Sequence, residues 1–205
     1  MTLYHWKPRF QALLRPAVAW LALRGVTANG VTVAAAAGSV LVGVVIALMS
    51  ETRAVFLLLP VWCLVRMALN AVDGMLAREF GQQSRLGAYL NELCDVIADA
   101  ALYLSLLSVP GVRAEALWLL AWAAALSEYA GVLGLMVGAS RRYDGPMGKS
   151  DRAFVIGVLG LLLAFGWAGA TVVSAVAALA ALLCGVTVVR RVRQGLKEAA
   201  AISQR

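Results

Sequence analysis

Five apolar stretches dominate the chain: residues 31–50, 54–77, 87–109, 115–138 and a long run over 153–189. A helix needs about 20 apolar residues to cross the hydrocarbon core of a bilayer. The last run is nearly twice that length, and Gly166-Trp167-Ala168-Gly169 is the natural place to divide it. The alternative is a single tilted helix followed by a buried segment. Divided, the run brings the number of spanning helices to six. Charged residues are 14% of the 205, against about 25% in a soluble domain. The expected fold is therefore an all-α integral membrane protein, with six transmembrane helices in one domain over 1–205.

The basic residues orient those helices. With both ends inside, only Arg53 and Arg113 fall outside and Arg66 falls within a span, while every other Lys and Arg flanks the inner face. Both termini are thus expected in the cytoplasm. No cleavable signal peptide is expected, because no basic region followed by an apolar run opens the chain. Leu3 to Leu23 mixes apolar residues with Lys7, Arg9 and Arg15, which reads as an amphipathic helix on the inner leaflet, interrupted near Pro8 and Pro16. The organisation expected is an interfacial helix over 1–24, a six-helix bundle over 31–189 and a basic cytoplasmic tail over 190–205. The net charge of +7 lies mostly on this face, so the partner it implies is anionic membrane lipid and not nucleic acid. Cys63, Cys94 and Cys184 fall within spans without metal-ligand spacing and read as small packing residues. His5 has no partner for catalysis.

Residues 70–99, NAVDGMLAREFGQQSRLGAYLNELCDVIAD, depart from this apolar background. An ionisable group in lipid costs about 2.5–3.5 kcal/mol on insertion scales, so several on adjacent spans mark a site. Arg66, Asn70, Asp73 and Ala77 share one face of the second span; Asn91, Asp95 and Asp99 recur every four residues on the third, beside Glu92. The two spans form an antiparallel hairpin. Pairing them about their loop sets Asp73 level with Asn91 and Glu92, Asn70 with Asp95, and Arg66 with Asp99. At 1.5 Å per residue the first of these levels is about 6 Å below the helix start and the last about 18 Å.

The deep level reads as a buried ion pair, Arg66 with Asp99, that holds the hairpin in register. The shallow level holds Asp73, Asn70, Asn91 or Glu92, and Asp95 with no cation among them. Close carboxylates stay ionised only near positive charge. An all-oxygen set without His or Cys suits Mg²⁺ or Mn²⁺. Protonated carboxyls hydrogen-bonding between helices are the plainer alternative.

This segment resembles the signature of the CDP-alcohol phosphotransferases, D-x2-D-G-x2-A-R followed after about eight residues by G-x3-D-x3-D. Asp73-Gly74, Ala77-Arg78, Gly87 and Asp95 stand at matching positions. The opening MTLYHWKPRF and the loop GPMGKSDR are also similar to an enterobacterial branch of that family. The first and third aspartates of the signature are Asn70 and Asn91 here. In the family the first three aspartates hold two divalent ions and the fourth also acts as base. The resemblance thus implies one or two Mg²⁺ or Mn²⁺ ions held by Asp73, Asn70, Asn91 and Asp95, with Glu92 supplying a missing charge. It implies Asp95 as the base and Asp73, Gly74, Ala77, Arg78 and Gly87 around the CDP moiety.

The activity implied is transfer of a phosphatidyl group from a CDP-alcohol, CDP-diacylglycerol foremost, to a small alcohol acceptor with release of CMP. It would take place in phospholipid synthesis at the cytoplasmic face of a bacterial inner membrane. A homodimer is implied as well. In the loop 141–152, Arg141 and Arg142 read as ordinary positive-inside charge. Lys149 and Arg152 stand equally as ligands for an acceptor phosphate and as such charge. Glu128 reads as a protonated or hydrogen-bonded structural acid. The two asparagines keep open a catalytically silent relative that binds CDP-lipid or lipid-enzyme partners. A small transporter with a midplane ion site fits least, since the acids lie toward one face.

Overall fold

Capping chemistry at one end of the molecule shows how the chain turns into its helices. Thr27 Oγ1 accepts the Gly30 N–H at 3.1 Å and Ser84 Oγ accepts the Gly87 N–H at 2.9 Å, each closing the first turn of a long helix. The computed structural model describes residues 7–203, and among them seven α-helices follow in order. They are α1 (Lys7–Leu23), α2 (Ala28–Met49), α3 (Leu58–Glu79), α4 (Arg85–Leu104), α5 (Ala114–Leu133), α6 (Lys149–Ala164) and α7 (Ala170–Ser203).

Among the described residues, four stretches are long and apolar enough to cross a membrane: Ala28–Met49, Arg53–Glu79, Ala114–Val137 and Ala170–Ser203. Two helices fall short of that measure. α4 carries Arg85, Glu92, Asp95 and Asp99, and α6 has 16 residues and opens on Lys-Ser-Asp-Arg. Length and composition thus support four spans where six were expected. The expected break is present: α6 ends at Ala164, Gly166 takes φ +72°, and Trp167 N–H donates to the Leu162 carbonyl at 2.8 Å.

α2 lies against both α3 and α4, α5 runs along α7, and α6 packs on α3. Small residues allow the close approaches. A Cβ on Gly43 would stand 2.7 Å from the Ala101 carbonyl oxygen, and one on Gly160 2.7 Å from that of Phe56. The larger core gathers Ile46, Phe56, Leu59, Leu102, Tyr103, Leu120, Val173 and Cys184. A smaller one, Val18, Ala28, Val31, Val72, Met75 and Leu76, fastens α1 to α2 and α3.

One expectation needs correction. α1 continues through Pro16. Pro16 removes one backbone donor, but Val18 is fully buried in the smaller core, and Leu14 and Leu21 pack on that core. Leu13, Trp20 and Leu23 of the same helix are exposed, so α1 is apolar on more than one side. Leu3 to Trp6 of the expected interfacial helix lie outside the described residues.

The basic stretch from residue 190 is helical, since α7 continues through it to Ser203. Glu198 accepts from Ser140 N at 3.2 Å and Ser140 Oγ at 3.0 Å and pairs with Arg142, so the extension is held by the loop before α6. Gln204 and Arg205 lie outside the described residues.

Candidate active site

The α3–α4 hairpin forms as its two polar stripes require, and Arg66 fixes its register. Its Nη1 donates to Asp99 Oδ1 at 2.5 Å, and its Nη2 to Asp95 Oδ1 and to the Asp95 carbonyl, both at 3.1 Å. Arg66 and Asp99 are each 5% exposed. Breaking such a pair from one side costs about 3–5 kcal/mol, because the charge left behind stays buried.

From Asp99 the ion pairs run on through the interior. Asp99 Oδ2 accepts from Arg152 Nη2 at 2.9 Å and Nε at 3.2 Å, and the same Nη2 donates to Glu128 Oε1 at 2.9 Å. Glu128 Oε2 meets Arg191 Nη1 at 3.3 Å and Arg141 Nη2 at 3.4 Å. Arg141 Nη2 closes the run on Glu92 Oε2 at 2.6 Å, back on α4. Burial is the largest single influence and works against the Arg141 charge, but its hydrogen bond to Glu92, the Glu92 charge and Tyr143 together hold the guanidinium pKa above its ordinary value.

Beside this network lies a cavity of about 890 Å³ between α2, α3, α4 and α5. Seven residues singled out in the sequence line it: Asp73, Gly74, Ala77 and Arg78 from α3, and Gly87, Asn91 and Glu92 from α4. Asp73 is 6% exposed, and its Oδ2 lies 2.8 Å from the Thr32 hydroxyl. Arg78 pairs with no carboxylate among the described residues, although its Nη2 would stand 2.8 Å from a Cβ on Gly74. Gly74 therefore leaves room for that guanidinium to lie against its own helix. A Cβ on Gly87 would meet Asn29 Oδ1 at 2.7 Å, so the far wall is equally tight.

The other singled-out residues lie elsewhere. Asn70 and Lys149 line a separate space of about 20 Å³ with Arg66 and Cys63. Asp95 is not on the wall of the large cavity; Lys149 Nζ donates to its Oδ2 at 2.5 Å while Arg66 holds Oδ1. The shallow level is thus divided, and it is not free of cations as the sequence suggested. The start of α6 delivers an ammonium that no local spacing announces.

Arg152 is 2% exposed, and all its nitrogens are engaged, by Asp99, Glu128, Tyr103 Oη, Ser127 Oγ and the Met147 carbonyl. A guanidinium so placed has no N–H left for an acceptor phosphate. Glu128 is shared by three guanidinium groups.

Sequence reasoning missed Thr32, Asn29 and Arg141 as cavity residues. Thr32 and Asn29 are polar residues in the first turns of an apolar helix, a faint signal. Arg141 gave the same signal as any basic residue in an inner loop.

The donor chemistry of the wall is all oxygen, from the Asp73 and Glu92 carboxylates and the Asn91 amide, and suits a hard divalent ion. Among the described residues no three of His, Cys, Asp and Glu gather around one point. The residues present fit one weakly held ion and not a multi-carboxylate pair of sites.

The CDP-alcohol phosphatidyltransferase family model matches residues 25–190. The chain is 51% identical over 164 residues to the inner membrane protein YnbA of Escherichia coli strain K12, covering 80% of this chain and 81% of that one. It shares its fold with a crystal structure of Mycobacterium tuberculosis phosphatidylinositol phosphate synthase, PgsA1, in complex with manganese and citrate. The TM-score is 0.71 and the identity 22%, with 88% of each chain covered. The family match takes in α2 to α6 and most of α7, together with every residue of the hairpin and its cavity. On that breadth, the chain belongs to the CDP-alcohol phosphatidyltransferase family.

Proposed function

We propose that the chain transfers a phosphatidyl group from a CDP-alcohol, CDP-diacylglycerol foremost, to a small alcohol, releasing CMP. The observation that carries this is the single cavity wall shared by Asp73, Gly74, Ala77 and Arg78 on one helix and Gly87 and Asn91 on the next. Family membership supports the reaction class. The proposed setting is six spans, α4 and α6 included, with both termini and the cavity on the cytoplasmic side of an inner membrane. The excess of Lys and Arg on that side supports this orientation. The homodimer implied by the resemblance belongs to the same proposal.

In this reading the Arg78 guanidinium binds the donor diphosphate, and Gly74, Ala77 and Gly87 leave the cytidine room against the helix backbones. Mg²⁺ or Mn²⁺ held on the cavity wall by Asp73, Asn91 and Glu92 would neutralise the diphosphate and stabilise charge on the leaving CMP. Lys149, half-buried on Asp95, shifts to the arriving donor and frees the Asp95 carboxylate. The acceptor oxygen bonds to the phosphatidyl phosphorus as its proton passes to Asp95. The phosphorus–oxygen bond to CMP then breaks, and CMP keeps the bridging oxygen.

A test is metal-dependent CMP release by the purified protein with CDP-diacylglycerol and a panel of alcohols, with Asp95→Ala as control. Release that tracks an acceptor and is lost in the variant is the expected outcome. The lack of a three-acid cluster among the described residues favours a second reading, a silent relative that binds CDP-lipid or lipid-enzyme partners. Tight CDP-lipid binding without turnover, together with activity gained only in an Asn70→Asp, Asn91→Asp double variant, would replace the first reading with the second.

A further inference from the structure

We infer that Lys149 takes the place of a divalent ion at Asp95, so that this end of the site holds an ammonium and takes up no metal. The inference rests on the transferase reading and deepens it. One metal ion on the cavity wall and one lysine would together neutralise the donor diphosphate.

Asp95 lies between two cations of different character. Arg66 is fixed: its side chain is 6% exposed and makes three hydrogen bonds, two to Asp95 and one to Asp99. Lys149 makes one, from Nζ to Asp95 Oδ2 at 2.5 Å, and its side chain is 32% exposed at the first residue of α6. An ammonium on a flexible four-carbon stem is an exchangeable point charge, and a guanidinium anchored at three points is not. Asp95 shares Arg66 with Asp99, so among the described residues Lys149 is the one cation Asp95 has to itself. Both Asp95 oxygens are occupied, and a divalent ion can reach Oδ2 only by displacing the ammonium.

Asn70 is a second, independent observation. It lines the same small space as Lys149 and Arg66, and it stands where the signature of the hairpin carries an aspartate. A hard divalent ion is held by several oxygens, carboxylates foremost. With an amide at position 70 the space offers such an ion too little anionic oxygen. An ammonium needs only the single carboxylate it already has. Asp73 is outside this exchange, because it lines the large cavity and its Oδ2 meets the Thr32 hydroxyl. In the transferase reading Lys149 then brings the donor diphosphate a charge that would otherwise call for a second ion.

The test counts metal and needs no CDP-lipid. Mn²⁺ bound per chain is measured by electron paramagnetic resonance on the full protein in detergent, for the wild type, Asn70→Asp, Lys149→Met and the double variant. We expect the double variant to bind one Mn²⁺ more than the wild type. Asn70→Asp alone should gain none, because Lys149 pairs with the added carboxylate. Lys149→Met alone should take the extra ion about tenfold more weakly than the double variant, for one carboxylate fewer. Arg66 keeps its partners in Lys149→Met, which should melt like the wild type and decides the matter if the double variant does not fold. An unchanged count in the double variant, or in Lys149→Met where the double does not fold, overturns the inference. An extra ion in Asn70→Asp alone overturns it too. CMP release tests the transferase reading separately. Its absence in the wild type counts against that reading, while the Mn²⁺ count still decides what occupies Asp95.

Discussion

The two halves of helix α4 use the same kinds of side chain for opposite ends. In its deeper half Asp95 and Asp99 are held between Arg66, Lys149 and Arg152, with every carboxylate oxygen engaged at 2.5–3.2 Å. In its outer half Gly87 and Asn91 border an open cavity with Asp73 across from them, where the partner of Asp73 is a neutral hydroxyl. The ion pairs deep in the bundle join α3, α4, α5, α6 and α7. Charge nearer the helix start is left within reach of a ligand. Paired acids in a membrane segment are therefore no evidence of a reaction until their partners are known.

The comparison breaks most readily at Arg66. Arg66→Ala leaves Asp99 and Asp95 short of a cation, and we expect a loss of about 3–5 kcal/mol, read as low yield and early melting in detergent. A variant that melts like the wild type but has lost turnover would move Arg66 and Asp99 into the catalytic site. Gly87→Val sharpens the contrast from the other side. A side chain there collides with Asn29 on the cavity wall, so CDP-lipid binding should weaken about tenfold, a loss of about 1.4 kcal/mol, with little change in melting. The smallest effect is expected outside both regions. Arg15 meets Glu79 through two 3.0 Å hydrogen bonds, but their side chains are 57% and 35% exposed. Glu79→Gln should leave melting unchanged at physiological salt, where such a pair is screened.

Much of this was legible in local spacing. The hairpin, the level of Arg66 with Asp99, the break at Gly166 and the gathering of Asp73, Gly74, Ala77, Arg78 and Gly87 all follow from periodicity or a gapped motif. What stayed hidden came from far along the chain. Lys149 reaches Asp95 over a separation of 54 residues, and Arg191 reaches Glu128 over 63. A basic residue in an inner loop gives the same signal whether it faces water or turns inward, so Arg141, Arg152 and Arg191 could not be told apart. The number of spans was obscured in part for the same reason, because the charges that disqualify α4 by composition are neutralised only once the helices meet, while α6 falls short by its 16 residues.

That neutralisation has a consequence for how the protein enters its membrane. α4 is synthesised after Arg66 but before Lys149 and Arg152, so for part of synthesis two carboxylates share one guanidinium. Each unpaired charge resists partitioning by about 2.5–3.5 kcal/mol. In a six-span arrangement, stable insertion of α4 therefore waits for α6. A chain ending at Gly148 should leave Cys94 open to a water-borne maleimide, while the complete chain protects it. Biogenesis would then proceed with a helix held in reserve, its admission to the bilayer granted by a segment not yet translated.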